Sequence, residues 1–199
     1  MPIIGGHGFT VAGNAGTYNG TDTVSAGPTK MSGLAVGVKE TNIDTGQVLR
    51  MLMSLKNRSS KNISTSFVLD TALGDNGPGE RIDSTSSGDK VLTVADRWIV
   101  TRNSSGTDAT PTLVFYGRGN VTTKVAAVTK QPEDVGCTTV KMKVRIPANS
   151  TRYLMFFASV HAHGDEAAAE NDASAFHSVG MGSPLLAGLS VKVCSKVLN

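Results

Sequence analysis

The chain has 199 residues, a formal net charge of +3 at pH 7, 39% hydrophobic residues and 18% charged residues. That length suits one domain of the sandwich or barrel type, with enough Val, Leu and Met for a single core. The composition excludes a Gly-X-Y collagen period, a disordered charged tail and a helical membrane span, because no apolar run approaches about 18 residues. The first twenty residues lack a basic start followed by an apolar stretch, so no signal peptide is expected.

Residues 1–30 are Gly- and Thr-rich, with sparse apolar side chains at Ile3, Ile4, Phe9 and Val11. Ordering each residue costs about 1–2 kcal/mol, more than so few apolar groups return alone. This predicts an extended N-terminal arm or edge strand, followed by one domain over 31–199. Residues 34–38 alternate weakly. Residues 47–55 have the bulk of a buried strand, and residues 63–69 return after a polar turn at Asn57 to Asn62, which predicts a hairpin. Residues 70–80 and 84–89 read as loops.

Residues 90–101, which hold the single Trp, read as a strand, with residues 112–116 and 121–128 as short strands beyond it. Residues 138–146 alternate with period two, so Val140, Met142, Val144 and Ile146 are expected inward with Leu154, Phe156 and Trp98, and Lys141, Lys143 and Arg145 outward. Pro147 to Ser150 turns the chain into residues 152–160, the most apolar stretch. The period then changes. Residues 165–177 are Ala-rich with acidic residues at the start, which predicts a helix, and Ser190 is placed to cap a second short one. Strands at spacings of about ten residues, ending in one or two short C-terminal helices, predict an all-β protein, an antiparallel β-sandwich.

Chemistry-bearing residues are sparse. Basic side chains are scattered instead of clustered, which argues against a nucleic-acid partner. Cys137 and Cys194 lack metal-ligand spacing and form a candidate long-range disulfide, with two buried thiols as the other reading. Asn-x-Ser/Thr triplets begin at Asn19, Asn57, Asn62, Asn103, Asn120 and Asn149, an excess readable either as glycosylation in an exported protein or as turn chemistry. Asp70, Asp75, Asn76 and Glu80 surround a Gly-rich loop and offer oxygen ligands for calcium, although the spacing departs from the EF-hand rule and Asx turns explain it as well.

His161-Ala-His163-Gly-Asp165-Glu166 is the most enzyme-like string. It is similar to the His-x-His-x-Asp-His box of metallo-β-lactamase-fold hydrolases, but Glu166 stands where the last His belongs and no second ligand box follows. No Gly-x-Ser-x-Gly elbow and no phosphate loop is present. Trp98 beside Arg97 could stack a sugar or a base, or fill a core position with Arg97 at the rim. No cofactor, no metal and no catalytic residue is expected.

Four stretches carry a resemblance: residues 67–75, residues 95–101, residues 146–157, and Leu185 to Ser190 with Val197 to Asn199. Together they resemble β-rich domains of large exported bacterial surface proteins of the adhesin-like and cadherin-like multidomain kind. The resemblance covers about residues 48–199 and implies an extracellular or cell-surface module. The expectation is therefore a non-enzymatic structural subunit that associates with copies of itself, its arm of Ile3, Ile4, Phe9 and Val11 adding as a strand to a neighbour. The alternatives are a carbohydrate-binding module or a virion coat or decoration protein.

Overall fold

The computed structural model describes residues 2–9, 16–19, 22–43, 47–72, 80–103, 108–115, 124–130 and 137–199. The described strands are β1 (Pro2–Ile4), β2 (His7–Gly8), β3 (Gly16–Tyr18), β4 (Thr23–Met31), β5 (Leu34–Ile43), β6 (Val48–Asn57), β7 (Ile63–Ala72), β8 (Glu80–Thr85), β9 (Trp98–Asn103), β10 (Thr110–Val114), β11 (Lys124–Lys130), β12 (Cys137–Ile146) and β13 (Thr151–His161). Two helices follow, α1 (Glu166–His177) and α2 (Val191–Cys194), with a 3-10 turn at Pro184–Leu186 between them. The strands form a five-stranded sheet, β11-β12-β7-β1-β2, and an eight-stranded sheet, β3-β4-β5-β6-β13-β10-β9-β8. All the pairings between these strands are antiparallel. The fold is an antiparallel β-sandwich with short C-terminal helices, as the sequence predicts.

The sheets meet over a core that includes Leu34, Val36, Met53, Leu55, Phe67, Leu69, Leu154 and Phe156. The period-two reading of β12 holds: Val140, Met142, Val144 and Ile146 are all buried, and Lys141, Lys143 and Arg145 are exposed. Phe156 stacks on Phe67 at 5.6 Å between ring centroids. Trp98 does not join this core. It belongs to a second cluster with Val48, Val100, Val114, Phe157, Ala169, Ala173 and Phe176, on the outer face of the eight-stranded sheet beneath α1. Buried there, it is removed from any role as a sugar platform.

The N-terminal arm is an internal strand. β1 pairs with β7 of the same chain, Pro2 opposite Leu69 and Ile4 opposite Phe67. Ile4 is fully buried and Phe9 packs against the same core, while Ile3 is half-buried. The chain's own β7 edge thus satisfies the backbone that the sequence reading assigned to a neighbour, so Ile3, Ile4 and Phe9 are not an intermolecular arm. Val11 lies outside the described residues. Residues 23–30, read as part of the arm, instead belong to β4, a full strand of the large sheet.

The stretch 90–101 is a strand only from Trp98. Before it, the buried Asp96 gathers the loop: its carboxylate accepts from Ser86 Oγ, from Ser87 N and Oγ, and from Thr93 N and Oγ1, at 2.7–3.2 Å. Burial raises the Asp96 pKa, but the hydrogen bonds from Thr93 and Ser87 outweigh it and hold the carboxyl below its ordinary value.

Candidate carbohydrate-binding face

The outer face of the eight-stranded sheet is divided in two. Side chains alternate along each strand, so one face of β6 carries Val48, Arg50, Leu52, Ser54 and Lys56 while Met53 and Leu55 point into the core. The register places Ser54 between Gly37 of β5 and Tyr153 of β13. One step further along, Lys56 lies between Ala35 and Thr151. One step the other way, Leu52 lies between Lys39 and Met155, with Ser25 of β4 opposite Lys39.

At the Leu52 end the C-terminal segment covers the sheet. Arg50, 1% exposed, donates through Nη1 to the carbonyls of Leu185 at 2.7 Å and Ala187 at 3.0 Å. Burial lowers its pKa from the ordinary arginine value, against Cys194 and Asp22, which raise it. The chain end closes the edge left where β10 stops. Asn199 Oδ1 accepts from Met155 N at 2.9 Å, and Asn199 Nδ2 donates to the carbonyls of Phe115 and Met155. Between cover and sheet lies an apolar hollow of about 360 Å³, lined by residues that include Met155, Leu186, Val191 and Val197.

At the Ser54 end the sheet face is open. A groove of about 490 Å³ runs across β4, β5, β6 and β13. Its floor is made of small residues, Ala35, Gly37 and Ser54. One wall is Ser25 to Pro28, where the β4–β5 register shifts, and the other is Thr151 and Tyr153. Lys39 stands toward the covered end; Lys56 and Arg58 stand at the other. Among the described residues the lining carries three cations and no carboxylate or histidine. A Cβ at Gly37 would come within 3.0 Å of Ser54 Oγ, so glycine there keeps the floor low. The half-buried Tyr153 offers an aromatic face beside hydroxyls of Ser25, Ser54 and Thr151, the mixture that holds a sugar ring through stacking and hydrogen bonds.

The residues singled out from the sequence fall elsewhere. Cys137 opens β12 on the five-stranded sheet, at an outward position, and Cys194 sits in α2 over the opposite sheet, so no disulfide joins them. Sheets stacked about 10 Å apart keep such positions beyond bridging distance. Asp70 Oδ1 accepts from Thr139 Oγ1 at 2.6 Å on the five-stranded sheet. Asp75 and Asn76 lie outside the described residues, as does the side chain of Glu80. Among the described residues no group of three or more His, Cys, Asp or Glu could hold a metal ion.

His161 Nε2 meets Asp172 of α1 at 2.9 Å, and Glu166 lies 3.7 Å from Arg102, so this string ties helix to sheet. His163 is exposed in the turn. Three of the Asn-x-Ser/Thr triplets show turn chemistry directly: Asn19 Oδ1 accepts from Asp22 N at 3.1 Å and from Thr23 N at 3.0 Å. Asn57, 1% exposed, donates to the carbonyls of Lys61, Ile146 and Pro147, and Asn62 Oδ1 accepts from Ala148 N. The groove has no signature in the sequence, because its residues come from four separated segments and only the strand register brings them together.

No protein-family model matches the chain, and no curated protein matches it. Among solved structures it is similar to a protein from the human microbiome described as a kojibiose phosphorylase, with TM-score 0.54 and 8% identity over 82% of this chain. The match covers 22% of that protein, so the chain spans about a fifth of its length. An Escherichia coli K12 protein described as an aldose 1-epimerase matches with TM-score 0.47 and 10% identity, covering 74% of this chain and 68% of the other. A galactose mutarotase-like protein from Lactobacillus casei matches with TM-score 0.45 and 8% identity, covering 73% and 72%. These neighbours carry sugar-processing names. The fold likeness to the first of them corrects the resemblance to adhesin-like and cadherin-like surface domains, and with it the self-associating structural subunit and filament.

Proposed function

We propose that this chain is a carbohydrate-binding β-sandwich module that holds a glycan in the groove across β4, β5, β6 and β13 without turning it over. The observation that carries the reading is the groove itself: an open trough of mixed apolar and polar lining on a sheet whose other end is sealed, with Tyr153 as platform and Ser25, Ser54 and Thr151 as hydroxyl partners. The fold is shared with the protein described as a kojibiose phosphorylase, named for a sugar, which supports the class of ligand at the level of fold only. Glycosyl transfer and epimerisation need acid–base groups beside the reacting carbon. Among the described residues the groove lining has neither carboxylate nor histidine, which supports binding without turnover.

Calorimetric titration with a panel of neutral and acidic oligosaccharides tests this. The expected result is binding by at least one member, lost in Tyr153→Ala with melting within a few degrees of the parent, and no product after long incubation. Absence of binding across the panel overturns the reading, and product formation overturns its non-catalytic part.

A further inference from the structure

We infer that the groove selects glycans that carry negative charge, through Lys39, Lys56 and Arg58; this rests on the carbohydrate-binding reading above. All three side chains line the groove, and among the described residues none of them has a hydrogen-bond or ion-pair partner and no acidic residue shares the lining. The other cations near carboxylates on this molecule behave differently: Lys90 and Arg102 both reach Asp83, and Arg102 also reaches Glu166. Three uncompensated cations around one trough raise the local potential, and that field favours an anionic occupant over a neutral one of the same shape.

The placement of the charges narrows the occupant further. Lys39 and Lys56 are separated by two register steps, since Lys39 pairs with Leu52 and Lys56 lies four residues along β6. At the rise of a strand that is about 14 Å, more than one sugar ring. Arg58 extends the line beyond β6 at the same end as Lys56. The charges therefore match a chain with anionic groups on successive or alternate residues, not a single charged monosaccharide. Arg58 presents a planar fork suited to the paired oxygens of a carboxylate or a sulfate, and the lysines act as point charges. Single-stranded nucleic acid fits less well: its sites use successive aromatic platforms, and among the described residues this groove has Tyr153 alone.

The test is titration of the whole chain with oligogalacturonate, a heparin-derived oligosaccharide, a neutral malto-oligosaccharide and a single-stranded DNA of matched charge. The parent is compared with Lys39→Gln, Lys56→Gln, Arg58→Gln and the triple variant, each checked by melting. The expected result is that the carboxylated or the sulfated oligosaccharide binds at least about tenfold more tightly than the neutral one. The preference should fall steeply with salt and disappear in the triple variant. A uronate preference and a sulfate preference both support the proposal and separate its two chemistries. Equal binding of neutral and acidic chains overturns charge selection while leaving the carbohydrate-binding reading intact. No binding of any oligosaccharide overturns both. Tighter binding of the DNA than of either acidic oligosaccharide overturns the ligand class, and unchanged acidic binding in the triple variant overturns the site.

Discussion

The two ends of one sheet face are built by the same strands to opposite purposes. Along β6 the outward positions run from Val48, Arg50 and Leu52 to Ser54 and Lys56; along β13 they run from Phe157 and Met155 to Tyr153 and Thr151. The apolar halves lie under α1 and the C-terminal segment, and the polar halves line the groove. A strand is therefore not polar or apolar as a whole. Its outer stripe switches midway, and the switch marks where the covering segment ends. Arg50 stands at the seam, buried yet charged, and fastens the cover by two carbonyls. The difference predicts that substitutions at one end act on stability and at the other on binding.

The largest effect is expected at the covered end. Phe157 is buried and lies 5.5 Å from Phe176, centroid to centroid. Phe157→Ala should cost about 3–5 kcal/mol in urea unfolding. A loss below about 1 kcal/mol would break the division of the face, because it would mean that α1 is not packed on the sheet. Arg50→Ala comes next. It leaves the Leu185 and Ala187 carbonyls without their donor and opens a void, for about 2–4 kcal/mol. Hydrogen exchange should then quicken across residues 184–198 and stay unchanged in β7 and β12; equal quickening everywhere would show that Arg50 supports the whole sandwich and not its cover.

How much of this was readable beforehand follows from where the information lies. β12 was legible because its alternation is local: Val140 to Ile146 face one way and the three basic residues between them the other. The cap of α2 was legible too, since Ser190 Oγ accepts from Val193 N as its position before an apolar stretch predicts. β4 was not, because Ser, Ala, Gly and Pro give it no apolar stripe and its order comes from pairing with β3 and β5. The groove was illegible for the same reason. Ala35, Gly37, Ser54 and Thr151 are unremarkable singly and become a floor and wall only through register. The place of Ile4 is not legible either, because a three-residue strand carries no period, and what holds it is β7, more than sixty residues away.

Asp96 sharpens the comparison from below, since its loop delivers Trp98 to the covered cluster. Its carboxyl has a lower pKa folded than unfolded. Such a group contributes stability that is present above the unfolded value, about 4, and is lost as pH falls through the folded one. Asp96→Asn should cost about 1–3 kcal/mol at neutral pH, because an amide cannot accept all five hydrogen bonds. It should also remove part of the decline in stability below about pH 4. Unfolding curves at several pH values check this; an unchanged decline would assign the acid sensitivity to other carboxyls.

The smallest expected change in stability is at the open end, at Gly37. A methyl there meets Ser54 Oγ at 3.0 Å, so Ser54 must turn away from the Gly37 carbonyl, to which it donates at 3.4 Å. Against that small loss, replacing glycine within a strand recovers about 0.5–1 kcal/mol of backbone entropy. The two nearly cancel, and Gly37→Ala should melt within a few degrees of the parent. Binding has no such compensation. The raised floor removes both a hydroxyl and the depth that seats a ring between the β4 wall and Tyr153, for about a three- to tenfold weaker Kd. A variant that binds as the parent does, while Tyr153→Ala does not, would move the sugar off the floor and onto the β13 wall.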